Sequence, residues 1–154
     1  MGDLEAGKPF ENQSSLEVLN ISDCTQLETI YIRNCESLKT VAIPPNVKKV
    51  WIVNCANFES IQCPYSGDSS HISPLEEVHI ENCQGLKKVV LTGQNNPNLY
   101  VYLLGCNNLE ELNVSGSVLT TSKLVLPAKG FNTLKTLDIS RTTLGSLQFG
   151  VDGV

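Results

Sequence analysis

The stretch LEVLNISDCTQLETIYIRNCESLKTVAI, residues 16–43, states the pattern that the rest of the chain repeats. It holds three copies of L-x-x-L-x-I, beginning at Leu16, Leu27 and Leu38, with five residues between one copy and the next. Aligned outward from these, further copies begin at Val47, Phe58, Leu75, Leu86, Asn98, Leu109, Leu134 and Leu144, eleven in all. Positions one, four and six of the eleven copies are apolar in 32 of 33 cases, Cys63 included, and Asn98 is the exception. A random draw at the chain's 41% hydrophobic content would fill about thirteen or fourteen. Apolar residues at four and six alternate as in a half-buried strand, and Ile21, Ile32, Ile43, Ile52, Ile80 and Ile139 supply β-branched content. Six residues are too few for a packed helix, so each copy predicts a short strand.

The connectors fall into two classes when the strands are numbered alternately odd and even. After even strands the chain reads Arg33–Ser37, Val53–Asn57, Glu81–Gly85 and Leu104–Asn108, each five residues with Cys third. After odd strands the connectors vary, and two are long, Pro64–Pro74 and Ser115–Thr133, the latter with Lys123–Leu126 as a candidate further strand. One edge is fixed and the other tolerates insertion. A closed coil therefore holds two strands, and the fold class predicted is an all-β solenoid with two parallel sheets back to back and about 20–23 residues per coil. Residues 1–15 read as an N-terminal extension or cap, and residues 16–154 as the solenoid domain.

The pattern resembles bacterial leucine-rich repeat proteins of the nested 21-residue kind, the IRREKO repeats, in which L-x-x-L-x-L-x-x-N/C occurs twice per repeat. The resemblance covers Leu16 to Phe149. It implies a binding or surface-display scaffold and supplies no catalytic residues. It also implies a secreted or cell-surface location if an export signal has been removed.

Composition narrows the function classes. The net charge of −5, with no basic run beyond the pairs Lys48-Lys49 and Lys87-Lys88, disfavours nucleic acid and anionic membrane as partners. No apolar run approaches membrane-spanning length, and Met1–Ser15 does not read as a signal peptide. An enzyme needs a nucleophile with a base, paired acids or a phosphate loop, and the two histidines lie in no such motif. Glu76-Glu77 near His79 read as a solvated sheet surface. The chain is accordingly expected to be no enzyme, with no cofactor and no metal; Cys63 with His71 is two ligands short of a zinc site.

Five of the six cysteines, Cys24, Cys35, Cys55, Cys83 and Cys106, occupy one turn position, which argues for packed free thiols. Stacked side chains one strand spacing apart have parallel Cβ vectors, unsuited to a disulfide. Asn34, Asn54 and Asn82 precede three of them, where Asn tolerates a left-handed backbone. The sequons at Asn12, Asn20 and Asn113 are assigned no function. Outward position two reads Glu17, Lys39, Glu59, Lys87, Glu110 on the odd sheet and Glu28, Lys48, Glu76 on the even, alternating in sign.

Outward position five of the even strands reads Tyr31, Trp51, His79, Tyr102 and then Asp138, against Asn20, Ala42, Gln62, Val90, Asn113 and Gln148 on the odd sheet. The aromatic column is either a strand-stabilising ladder or a contact surface. As a surface it, with the long loops, makes the chain an interaction module for a protein partner; the alternative is a carbohydrate-binding or adhesive surface module. The last strand is followed only by Gly150–Val154, too short to cap an apolar end, which predicts self-association through the C-terminal end or a longer parent chain.

Overall fold

The structure, a computed structural model, describes residues 9–67 and 70–150. The first eight residues of the N-terminal extension, residues 68–69 of the Pro64–Pro74 loop and the tail 151–154 lie outside the described residues. Strands run in chain order β1 (Phe10–Glu11), β2 (Val18–Asn20), β3 (Thr29–Arg33), β4 (Thr40–Ala42), β5 (Lys49–Val53), β6 (Ser60–Gln62) and β7 (Glu77–Glu81). They continue as β8 (Lys88–Val90), β9 (Tyr100–Leu104), β10 (Glu111–Asn113), β11 (Val118–Leu126), the helical turn α1 (Gly130–Thr133), β12 (Thr136–Asp138) and β13 (Thr143–Phe149). Odd-numbered strands form a seven-stranded sheet in the order β1-β3-β5-β7-β9-β11-β13, and even-numbered strands a six-stranded sheet in the order β2-β4-β6-β8-β10-β12. Every pairing is parallel. The chain is a two-sheet β-solenoid of about six turns with about 23 residues per turn.

The inward columns explain why the coils stack in register. Ile32, Ile52, Ile80 and Leu103 align down the seven-stranded sheet and Leu19, Val41, Ile61, Val89 and Leu112 down the other, all buried. A one-residue slip would turn every one of them outward. Outward charges add little to this. Lys39 Nζ lies 3.3 Å from Glu17, Lys48 Nζ 3.3 Å from Glu28 and Lys135 Nζ 3.1 Å from Glu110, all partly solvated, each worth about 1 kcal/mol at most.

Three expectations are corrected. The Ser115–Thr133 connector contains a full nine-residue strand, β11, seated between β9 and β13. It lacks the L-x-x-L-x-I alternation because Thr120, Thr121 and Ser122 bulge opposite the single residue Gly145, between the pairs Leu119–Leu144 and Lys123–Ser146. A Cβ on Gly145 would lie 2.6 Å from the Ser122 carbonyl oxygen, so only glycine fits there. This extra strand moves the last two segments to opposite sheets: Asp138 continues the column of Asn113, and Gln148 follows Tyr102 and Val125. Second, the apolar slot assigned to Asn98 is filled by the next residue, Leu99, which is fully buried. Third, Cys24 is exposed, because its connector lies on the variable edge.

The fixed edge carries two ladders. Asn12, Asn34, Asn54 and Asn82 all adopt left-handed backbone, φ 61°, 56°, 57° and 53°, and Gly105 takes the next place at φ 66°. Their amides chain along the axis: Asn34 Nδ2 donates to Asn12 Oδ1 (3.4 Å), Asn54 Nδ2 to Asn34 Oδ1 (3.3 Å) and Asn82 Nδ2 to Asn54 Oδ1 (3.2 Å). A Cβ at Gly105 would come within 2.5 Å of Asn82 Oδ1, which is where the ladder stops. Replacing Asn54 by alanine removes both its amide bonds and places a Cβ residue without local polar compensation at positive φ. The expected loss is about 1–2 kcal/mol in urea unfolding, while Asn54→Gly, free of the φ penalty, should lose less.

Inside this edge stand Cys35, Cys55, Cys83 and Cys106, all buried. The Cys83 thiol donates to the Ile52 carbonyl (3.7 Å) and the Cys106 thiol to the Ile80 carbonyl (3.6 Å), each reaching back one coil.

Candidate interaction surface

Strict β register brings the four sequence-predicted site residues together. Tyr31 pairs with Trp51, Trp51 with His79 and His79 with Tyr102 on four adjacent strands of the seven-stranded sheet. Spacing at one strand per ring is close to aromatic stacking distance. Trp51 and His79 stack with centroids 4.2 Å apart at 12°, and His79 and Tyr102 at 5.2 Å and 26°. Tyr31 meets Trp51 edge-on at 6.0 Å and 73°. A fifth ring, missed in the sequence columns, is Tyr100, which stacks on Tyr102 from two residues earlier at 5.9 Å and 21°. Its outward position-three column holds no other aromatic, so only the shared face of strand β9 pointed to it. Packing against its neighbours pushes the Tyr100 hydroxyl pKa up, with Tyr102 and Glu77 adding to the shift.

All five rings are half-buried. Trp51, His79 and Tyr102 turn faces toward one another along the solenoid axis. Polar groups border the row. His79 Nε2 lies 3.1 Å from a Glu81 carboxylate oxygen, and Arg33 Nε donates to Glu11 at 2.9 Å, which holds the Arg33 pKa above its ordinary value. The row ends where Val125, itself buried, takes the next register position after Tyr102.

Hollows among the described residues include two at the edges of the sheets. One of about 190 Å³ sits on the variable edge among Pro44, Pro45, Pro64, Tyr65, Pro74 and Gln94. Its floor is a satisfied polar set: buried Gln94 accepts from Ser73 Oγ (3.0 Å), and its backbone N–H donates to Ser117 Oγ (3.0 Å). The other, about 320 Å³, lies at the fixed edge among Asn82, Gln84, Tyr102, Gly105, Pro127 and Ala128, beside the end of both the asparagine ladder and the aromatic row. Among the described residues no group of three or more His, Cys, Asp or Glu side chains is placed to hold a metal ion. Among them no helix is long and apolar enough to cross a membrane.

These features define the class, a repeat protein built as a parallel two-sheet β-solenoid. No protein-family model, curated protein or solved structure matches the chain.

Proposed function

We propose that this chain is a non-enzymatic interaction module of leucine-rich repeat type, of the bacterial nested kind that its repeat resembles, binding a protein partner through the seven-stranded sheet and its edge loops. The observation that supports it most is the aromatic row, five half-buried rings on four neighbouring coils, on a sheet face where Thr29, Arg33, Lys49, Glu77 and Glu81 share the other outward positions with Val53 and Leu104. Tyr and Trp clusters of this kind carry most of the energy of protein interfaces, because they offer large apolar area at small entropic cost. The ring geometry favours a protein over a sugar. A pyranose stacks on an open ring face, whereas here Trp51, His79 and Tyr102 spend their faces on each other, and a protein surface packs readily against edges and hydroxyl tips. The long variable-edge loop Pro64–Pro74 supplies the adaptable rim.

The test is the double variant Trp51→Ala/Tyr102→Ala, measured against a partner captured by the parent chain. Affinity should fall by about 2 kcal/mol or more. Because the rings stack, thermal stability should fall as well, by about 1 kcal/mol for each stacked pair lost. Tyr65→Ala on the variable edge serves as the control. If that control loses the affinity and the double variant keeps it, the contact surface lies on the loops. Glycan-array binding by the parent that vanishes in Trp51→Ala would establish the carbohydrate reading instead.

A further inference from the structure

Where successive coils leave the six-stranded sheet, Ile21, Ile43, Cys63, Leu91 and Val114 occupy equivalent places, each just beyond its strand. Four of these five residues are paired through both backbone groups. Their N–H groups donate to the next coil, at Ala42 (3.1 Å), Val90 (2.9 Å), Asn113 (2.8 Å) and Asp138 (3.0 Å). Their carbonyls find four different donors: the Cys24 N–H (3.0 Å) for Ile21, Gln94 Nε2 for Cys63, Ser117 Oγ (3.3 Å) for Leu91 and Thr142 Oγ1 (3.0 Å) for Val114. Ile43 alone has neither bond among the described residues. Its N–H makes no bond to the Gln62 carbonyl, the acceptor that the column assigns to it, and its carbonyl stands opposite Pro64, which has no N–H. The ladder parts at the same place: β4 and β6 register at the single pair Thr40–Ser60, whereas every other pair of neighbours in that sheet registers at three.

This unpaired residue lines the variable-edge hollow of about 190 Å³. Backbone groups inside a fold are rarely left without a partner, so the open rung and the hollow beside it belong together. The space is ample, since an apolar cavity of roughly 150 Å³ takes up a benzene ring. Pro44, Pro45, Pro64 and Tyr65 supply stiff apolar walls, and no lining side chain is charged. The site is also preformed. The Tyr65 N–H donates to the Thr92 carbonyl at 2.9 Å, and the Gln94 floor is held by Ser73 and the Cys63 carbonyl. We infer that this hollow is a binding site for a small neutral carboxamide carried on an apolar body of about one ring, whose amide pairs with the Ile43 backbone.

The ligand class follows from the groups left open. An extended residue presents its N–H and C=O on the same side, and the complement is an amide whose own N–H and C=O lie on one side, as in a primary carboxamide or a lactam. The amide oxygen accepts from the Ile43 N–H, and the amide N–H donates to the Ile43 carbonyl. The apolar body then lies against the prolines and Tyr65. An ionised ligand is excluded, because it would exchange water for walls that carry no counter-charge. The inference stands apart from the protein-binding reading, which rests on the aromatic row of the other sheet and is tested there at Trp51 and Tyr102.

Benzamide is the probe, titrated into the full isotope-labelled chain and followed by NMR. Saturable shifts are expected at the Ile43 amide and around Tyr65, with the Trp51 amide unmoved. Benzoate, which lacks the N–H and brings a charge, and methyl benzoate, which lacks only the N–H, should each bind at least about tenfold more weakly. Pro64→Ala gives the chain its own N–H opposite the Ile43 carbonyl, so it should weaken benzamide at least about tenfold while the urea midpoint holds or rises. If that variant does not fold, Tyr65→Ala, which removes a wall and leaves Ile43 untouched, decides in its place and should weaken benzamide likewise. No saturable shift at Ile43 in the parent overturns the inference and leaves the open rung to water. Benzoate or methyl benzoate binding as tightly as benzamide overturns it too, as does benzamide affinity undiminished in the deciding variant.

Discussion

Phe58→Ala is expected to cost about 3–5 kcal/mol of folding stability. Phe58 is fully buried and is the largest side chain so placed. It occupies the first position of the segment that leads into β6, near the middle of the solenoid, and equivalent positions on the coils before and after it hold Leu38 and Leu86, also fully buried. The backbone N–H of Phe58 donates to the Cys55 carbonyl at 3.1 Å, as Leu38 does to Cys35 and Leu86 to Cys83, so the turn holds the ring in place from below. Truncation leaves a void that neighbouring coils cannot fill without breaking their strand register, so the cavity cost adds to the lost transfer energy. In a solenoid each coil rests only on its neighbours, and a central void weakens two coil interfaces at once. Urea unfolding should show the loss as a shifted midpoint. Ile139→Ala, at the partly exposed end coil, should cost below about 1.5 kcal/mol in the same assay. A Phe58→Ala loss no larger than the Ile139→Ala loss would mean that the coils relax into the space.

Where the repeat motif is regular, the fold was legible in full: the segments at Leu27, Val47 and Leu75 become β3, β5 and β7 in perfect lateral register. Legibility failed where one residue or more broke the period. Of strand β11 only the second half, Lys123–Leu126, stood out as a candidate strand, because the bulge displaces the alternation before it, and its match to β13 is made possible by Gly145, whose role depends on a backbone approach that no single-sequence pattern encodes. Missing that strand sent Asp138 and Gln148 to the wrong sheets. Of the site, Tyr31, Trp51, His79 and Tyr102 could be read because a column in parallel register needs only counting. The stacking of their rings, and with it the burial of their faces, depends on side-chain torsions and on the strand spacing, so it emerged only from the coordinates. The asparagines illustrate the same division. Their left-handed backbone follows from residue type, whereas the chain of amide-to-amide bonds requires the coils to be stacked.

Thiol titration should separate the six cysteines more sharply than any substitution. All six are free, so denatured protein without reductant should yield six reactive groups. In the native state Cys24 alone is exposed and should react at once, with half-buried Cys63 slower. The row Cys35, Cys55, Cys83 and Cys106 is fully buried, and reagent reaches it only when the edge opens. Electrostatics reinforces this shielding. Burial raises the Cys35 thiol pKa and pushes Cys63 up to about 12. The neighbouring thiol along the row, together with burial, raises Cys55 and takes Cys83 to about 12. Cys106, at the end of the row, is lowered by its neighbour Cys83, so it holds the most thiolate of the four once water arrives. The nucleophile is the thiolate, whose population falls about tenfold for each unit by which the pKa stands further above the pH. Native reaction of the row should therefore be slower than that of Cys24 by several orders of magnitude, and it should accelerate in low urea with Cys106 leading. Two or fewer reactive groups in denaturant would reveal disulfides and overturn the free-thiol ladder. Four or more reacting at once in native protein would mean that the fixed edge is open, and the packing role of the row would fall with it.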